Sequence, residues 1–279
     1  GSLVAVPDVS GRSFEDAAAR LQQDTLVAVQ GEGEHSLEVD AGLVLYTNPG
    51  PGERVDKDAT VSVILSLGPQ PHDLSALVGQ PEDAVTTMLT DIKIEVGQSV
   101  QEFAEPAAGT VLSATAQPVE GVAFDVSNGG TVLEGSTVTL TVSLGPVPPV
   151  VGLSAQAATS TLQAVKLEVS PTPEEEFSDD IDQGDVIGVR GPEGRNWVPG
   201  DAVTLVVSKG PQPIEIPSNV VGMSIRNAVK TLEGLGFEVN AGIEDGELPL
   251  GFKYWDVYKV RATNPKAGTE APKGSTITL

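Results

Sequence analysis

Ile216-Pro217-Ser218-Asn219-Val220-Val221-Gly222-Met223-Ser224-Ile225-Arg226-Asn227-Ala228-Val229-Lys230-Thr231-Leu232-Glu233-Gly234-Leu235-Gly236 is the stretch whose reading decides the fold. Ile225, Ala228, Val229, Leu232 and Leu235 fall at the offsets of one helical face. Ser224 stands just before that face, where its hydroxyl can accept from a free first-turn amide. Gly234 and Gly236 follow, where glycine permits a left-handed stop. Phe237-Glu238-Val239 then alternates as a strand does.

The opening of this stretch recurs three times upstream. Val6-Pro7-Asp8-Val9-Ser10-Gly11, Leu74 to Gly79 and Val147 to Gly152 place glycines 11, 79 and 152 ahead of Gly222, a period of about 70 residues. Six positions after each glycine stands Ala17, Val85, Ala158 or Ala228; ten after stands Leu21, Leu89, Leu162 or Leu232. The units also close alike. Thr60 to Leu67, Thr137 to Leu144 and Val203 to Lys209 alternate Val/Leu with Thr/Ser, as half-buried strands do, and run into Gly68-Pro69, Gly145-Pro146 and Gly210-Pro211. The fourth unit stops at Thr276-Ile277-Thr278-Leu279, without the last residues of the others, and is expected to end inside a strand.

Middle strands are expected at Leu43 to Thr47, Thr110 to Ala114, Val186 to Val189 and Tyr258 to Ala262. Pro-Gly turns follow in three units, at Asn48 to Gly52, Val198 to Asp201 and Asn264 to Gly268. In the second unit the corresponding place stretches over 117–134 and reads as a longer surface loop. Joints are read at Gly68-Pro69-Gln70-Pro71, Gly145 to Pro149 and Gly210-Pro211-Gln212-Pro213, whose prolines favour semi-rigid extended spacers. The expected architecture is α+β: four small repeated domains, 3–69, 72–146, 147–211 and 214–279, each a helix on a three-stranded sheet, arranged as an extended rod.

These features resemble the PASTA family: the V-P-x-V-x-G opening, the capped helix with Ala and Leu at fixed offsets, the P-x-x-G turn and the final V-x-V-S-x-G-P strand. The resemblance covers essentially the whole chain, four times over. Unit two departs most, lacking the opening proline, carrying Pro81 where a capping serine would sit, and holding the insertion. The resemblance implies the extracellular part of a membrane-spanning Ser/Thr protein kinase of Gram-positive type, or the C-terminal array of a penicillin-binding protein. It implies recognition of peptidoglycan fragments or lipid-linked wall precursors at the outer face of a bacterial membrane. Four units resemble the kinase arrangement more; the kinase domain is not in this chain. A structural ruler with little ligand binding, and weak self-association, are the further readings kept open.

Composition excludes several other classes. The 279 residues contain no cysteine and two histidines, His35 and His72, and carry a formal net charge of −23. That leaves no thiol nucleophile, no histidine metal cluster and no nucleophile–base pair, so no catalytic residue, cofactor or metal is expected. A pI near 4.2 argues against nucleic acid and anionic membrane surfaces. No apolar run spans a bilayer, no signal peptide is visible, and Gly1-Ser2 reads as an expression scar. Both histidines are expected in exposed loops or linkers. The acidic run Glu174 to Asp185 lacks calcium-loop order and reads as a solvated loop. Asp8, Glu15-Asp16 and Glu82-Asp83 suit helix N-termini, and Trp197 suits packing across its turn or on a joint.

One unit stands apart. From Pro213 onward there are seven Lys/Arg and eight Asp/Glu, against nine and 31 before it. Four of the chain's eleven aromatics, Phe252, Tyr254, Trp255 and Tyr258, lie within seven residues. Aromatic faces stack on sugar rings and cations pair with carboxylates or phosphates. The candidate ligand-binding residues are therefore Trp255, Tyr254 and Tyr258 as a platform, with Lys253, Lys259 and Arg261 as charge partners. Against this stands core packing of the same aromatics, with Tyr258, Val260 and Ala262 on one buried strand face.

Overall fold

A computed structural model describes residues 2–241 and 255–279. The chain divides into two compact units, Gly1–Val147 and Pro148–Leu279. Among the described residues each carries two ten-residue helices: α1 (Phe14–Gln23) and α2 (Glu82–Asp91), then α3 (Ala155–Ala164) and α4 (Ile225–Gly234).

The helices form where the sequence places them. The hydroxyls of Ser13, Ser154 and Ser224 accept from Asp16, Ala157 and Asn227. Pro81 caps α2 without a side-chain bond, and the Glu82 amide donates instead to the Gly109 carbonyl at 2.8 Å. Ala17, Leu21, Val85, Leu89, Ala158, Leu162, Ala228 and Leu232 are all fully buried. Leu235, expected on the same face, is 37% exposed, because it is the C-cap and Phe237 takes the buried place.

All four helices stop in one way. Leu26, Ile94, Leu167 and Phe237 donate back to Leu21, Leu89, Leu162 and Leu232, while the residue before each donates to Gln22, Thr90, Gln163 or Glu233. This is the Schellman closure with its buried apolar contact. The intervening residue takes the left-handed conformation: Gly236 in the last repeat, but Thr25 (φ 62°), Lys93 (59°) and Lys166 (68°) in the others. A β-branched residue is the most strained there. Thr25→Gly is expected to stabilise the first repeat by about 1 kcal/mol, readable as a raised denaturation midpoint.

In the first three repeats the closing strand is the centre of the main sheet. Thr60–Leu65 lies parallel to Val27–Gln30 and antiparallel to Val44–Asn48. Thr137–Ser143 lies parallel to Glu95–Val96 and Val100–Glu102, and antiparallel to Val111–Gln117. Ala202–Ser208 lies parallel to Glu168–Val169 and Glu174–Glu176, and antiparallel to Val186–Arg190. Thr276–Thr278 lies parallel to Glu238–Asn240. A serine ends two of these strands and directly follows a third, for a reason the pattern alone does not reveal. Ser66, Ser143 and Ser208 are buried; each donates its hydroxyl to a loop carbonyl (Val39, Pro106, Ile181) and accepts from the amide of Gly68, Gly145 or Gly210.

Four expectations are corrected. No strand spans Tyr258 to Ala262: the closing strand there is three residues long and reaches only Asn264, so Val260 is held instead between Gly222 and Met223. The insertion of the second repeat is not merely a surface loop. Phe124–Asp125 pairs with the middle strand, Gly130–Leu133 pairs with Pro71–Leu74, and Val126 and Val132 enter the core. Gly130–Leu133 therefore does for the opening strand what Arg54–Val55 and Glu270–Pro272 do in the first and fourth repeats. Pro71 and Pro213 begin these opening strands, so the joints are shorter than read, and His72 lies in a strand with its Nε2 3.0 Å from Glu134. Finally, Glu174–Glu176 is a sheet edge, not a loop, latched by Arg190, which pairs with both Glu174 (2.7 Å) and Glu176 (2.6 Å). These bonds raise the Arg190 pKa, the one to Glu176 contributing most.

Candidate functional site

The segment 255–261 lies across the start of α4. The carbonyls of Tyr258 and Trp255 accept from the amides of Ile225 and Arg226, each at 3.1 Å, and Lys259 bridges Ser224. Two donors that a helix N-terminus leaves unsatisfied are thereby taken up by backbone, not left for an anion. Arg226 pairs with Asp256 at 2.9 Å and lies 6.0 Å from the centre of the Trp255 ring. Trp255 is half-buried against the core built from Ile216, Val220, Ala228, Leu232, Phe237 and Ile277.

Tyr258, by contrast, is 52% exposed, Val257 is 70% exposed, and Lys259 and Arg261 face solvent. Only Val260 of this segment is buried. The expectation that Tyr258, Val260 and Ala262 share a buried face thus fails, for the reason that no strand forms there. Among the described residues neither Lys259 nor Arg261 makes an ion pair. Lys253 and Tyr254 lie outside the described residues. The geometry brings together one phenol, one exposed valine and two cations on a short segment braced by a helix.

The third repeat holds the other tryptophan. Trp197 packs across its own turn, as expected, onto Gly191; its indole donates to the Pro192 carbonyl at 2.8 Å. A Cβ on Gly191 would stand 2.5 Å from the indole. The turn is fixed by Asp201, which accepts from both guanidinium nitrogens of Arg195 and from the Val198 amide. The Arg195 bonds, then the Val198 amide, hold the Asp201 carboxyl at about 2. A depressed folded pKa contributes stability present above the ordinary value of 3.8 and lost as pH falls toward 2. The third repeat is expected to lose stability over that window, and Asp201→Asn to flatten the dependence; acid titration followed by Trp197 fluorescence reads it.

Elsewhere the acids have structural roles. Asp8 accepts from the Ser10 amide in a turn, and this bond, helped by the Ser10 hydroxyl, lowers its pKa. Glu15-Asp16 and Glu82-Asp83 occupy first helical turns. His35 is exposed, its Nδ1 3.1 Å from the Gly68 carbonyl. Among the described residues no group of three His, Asp or Glu is placed to hold a metal ion. No described helix is long and apolar enough to cross a membrane.

The chain is thus a series of small α+β repeats, each with one helix and a closing strand, three of them with a buried serine two residues before Gly-Pro. The PASTA domain family matches residues 4–67, 145–209 and 216–279, and the chain belongs to that family. The second repeat, with its insertion, falls between the matched stretches. The chain is 35% identical over 183 residues to a probable serine/threonine-protein kinase PknB of Corynebacterium glutamicum, covering 62% of this chain and 27% of that protein. It is 25% identical over 279 residues to the probable PknB of Bifidobacterium longum, covering 99% and 38%. To the serine/threonine-protein kinase PrkC of Bacillus subtilis it is 27% identical over 264 residues, covering 92% and 39%. The chain thus spans between about a quarter and two fifths of the length of these curated relatives. Among solved structures, the entire extracellular region of the Ser/Thr kinase PrkC from Staphylococcus aureus matches with 24% identity and a TM-score of 0.40, covering 76% of this chain and 75% of that one.

Proposed function

We propose that this chain is the extracellular sensor and spacer region of a membrane-anchored Ser/Thr protein kinase, and that its fourth repeat binds peptidoglycan fragments or lipid-linked wall precursors. Family membership and the kinases among its relatives support the parentage. The partition into four PASTA domains at 3–69, 72–146, 147–211 and 214–279 belongs to the same reading. The first three repeats, with a net charge of −22, resist collapse and aggregation by like-charge repulsion, which suits a spacer in the wall.

The observation that carries the ligand assignment is the outward placement of Tyr258, Lys259 and Arg261 on a braced segment, in an array otherwise acidic. Tyr258 offers a face to a sugar ring, and the two cations answer stem-peptide carboxylates or a pyrophosphate. Trp255 anchors the segment from inside; Tyr254 and Lys253 belong to the proposed set on their chemistry alone. Lys259→Ala combined with Arg261→Ala removes two exposed cations without touching the core. Muropeptide affinity by calorimetry is expected to fall at least tenfold in that variant, with the fold retained; equal affinity in both proteins would take these residues out of the site.

A further inference from the structure

The first repeat presents an edge that the other three protect. Its strand Val27–Gln30 lies at the outside of the sheet and pairs on one side only, with the closing strand. The Val27 amide donates to Ala59 and the Gly31 amide to Val63, so every second residue bonds inward. By that alternation the N–H and C=O groups of Ala28 and Gln30 point away from the sheet, the pattern an added strand can satisfy.

Strand register makes the comparison residue by residue. Val27 stands opposite Thr60; at the same register stand Glu95 opposite Thr137, Glu168 opposite Ala202 and Glu238 opposite Thr276. Three repeats place a glutamate where the first has valine. Two residues on, Gly97, Ser170 and Asn240 occupy the place of Val29. Charges on an edge are a common guard against strand addition, and proline, as at Pro171 beyond the third repeat's edge, is another. In the first repeat Val27 and Val29 are 48% and 47% exposed. Across the sheet the apolar character continues in Tyr46, 41% exposed, paired with the buried Ile64, where the second repeat has Ser113 and Thr141.

Charge selects the occupant. The first repeat holds eleven acidic and four basic residues. Glu32 and Glu34 follow the edge strand, and the Asp58 amide bonds the Thr25 carbonyl just before it; of the cations near in sequence, Lys57 adjoins Asp58 and Arg20 is paired with Asp24. A second copy of this repeat would bring like charge against like. A cationic extended segment would not. We propose that the edge Val27–Gln30 takes up, as an added strand, an extended segment of another protein with alternating apolar residues flanked by Lys or Arg. Backbone bonds to Ala28 and Gln30 supply the hold; Val27 and Val29 select apolar residues; the acids select the flanks. This interaction is separate from the fourth repeat's ligand and stands or falls without it.

The test uses the full chain and a labelled nine-residue peptide of alternating valine and threonine with two lysines at each end. The expected result is slowed amide exchange at Ala28 and Gln30 on adding peptide, with binding weakened by salt. The double variant Val27→Glu, Val29→Asn installs residues that the fourth repeat already carries at these positions, so its melting curve is expected to match the parent chain. Peptide affinity is expected to fall at least tenfold in that variant and with a glutamate-flanked peptide. Unchanged exchange at both amides, or equal affinity in the variant, overturns the proposal. Concentration-dependent association of the chain alone, abolished by the same variant, also overturns it by showing that a second copy is the occupant.

Discussion

Gly129→Ala is expected to cost the second repeat roughly 3 kcal/mol, combining a left-handed backbone penalty with overpacking against a rigid wall. Gly129 has φ +97°, and a Cβ there would stand 2.5 Å from the Leu74 carbonyl oxygen and 3.2 Å from the Ser75 carbonyl carbon. These are backbone atoms, so no side chain can swing aside. The close approach exists because the insertion wraps the opening segment. Leu77 and Val78 both donate to the Ser127 carbonyl, the Ala114 amide donates to the Ser127 hydroxyl, and Val126 is fully buried. Asp125 accepts from the Ser127 amide, and its bonds to Ser127, the hydroxyl foremost, lower its pKa. Amide exchange at Leu77, Val126 and Gly129 reads the loss directly, and the first and fourth repeats are expected to keep their protection, since each has its own core.

The second large effect lies in the fourth repeat. Leu232 is fully buried, is the tenth residue after the opening glycine, and accepts the Phe237 amide that closes α4. Leu232→Ala removes its packing against a core from which the surroundings cannot fully collapse, at a cost of about 3 kcal/mol. Trp255 packs on that core, so its fluorescence reports the unfolding, while Trp197 reports the third repeat unchanged. A repeat of this size has little stability in reserve. Leu232→Ala is therefore expected to unfold the fourth repeat at much lower denaturant and to take muropeptide binding with it.

Much of this was legible in the chain because the repeat multiplies every signal. Helix faces at Leu21, Leu89, Leu162 and Leu232, serine caps and the closing strands all stand where periodicity puts them. What the pattern hid were contacts distant in sequence. Ser66, Ser143 and Ser208 look like ordinary strand alternation, yet each ties a Gly-Pro joint to a loop some 27 to 37 residues earlier. The strand at Gly130–Leu133 is short and begins on the second of two glycines, so composition suggested loop; its partner Pro71–Leu74 lies almost sixty residues away. Glu174–Glu176 reads as a solvated acidic run because like charges disfavour a strand until Arg190 crosses to meet them.

At the candidate site, the sequence identified the aromatic and basic window but not its posture. Alternation at Tyr258, Val260 and Ala262 suggested a strand, whereas only Val260 is buried and Tyr258 faces solvent. Sequence also could not separate Trp255, packed on the core beside Arg226, from Tyr258 as the exposed ring. The edge at Val27–Gln30 was invisible for a different reason: a valine in a strand is unremarkable until strand register aligns it with Glu95, Glu168 and Glu238.

The most direct measurement is a titration of the isotopically labelled chain with a purified disaccharide–peptide fragment of peptidoglycan, followed by amide chemical shifts. Shifts confined to the fourth repeat and centred on Trp255 to Arg261 are the predicted result. Saturating shifts in another repeat with 255–261 unmoved, or none at millimolar fragment, would contradict the assignment of ligand recognition to this repeat.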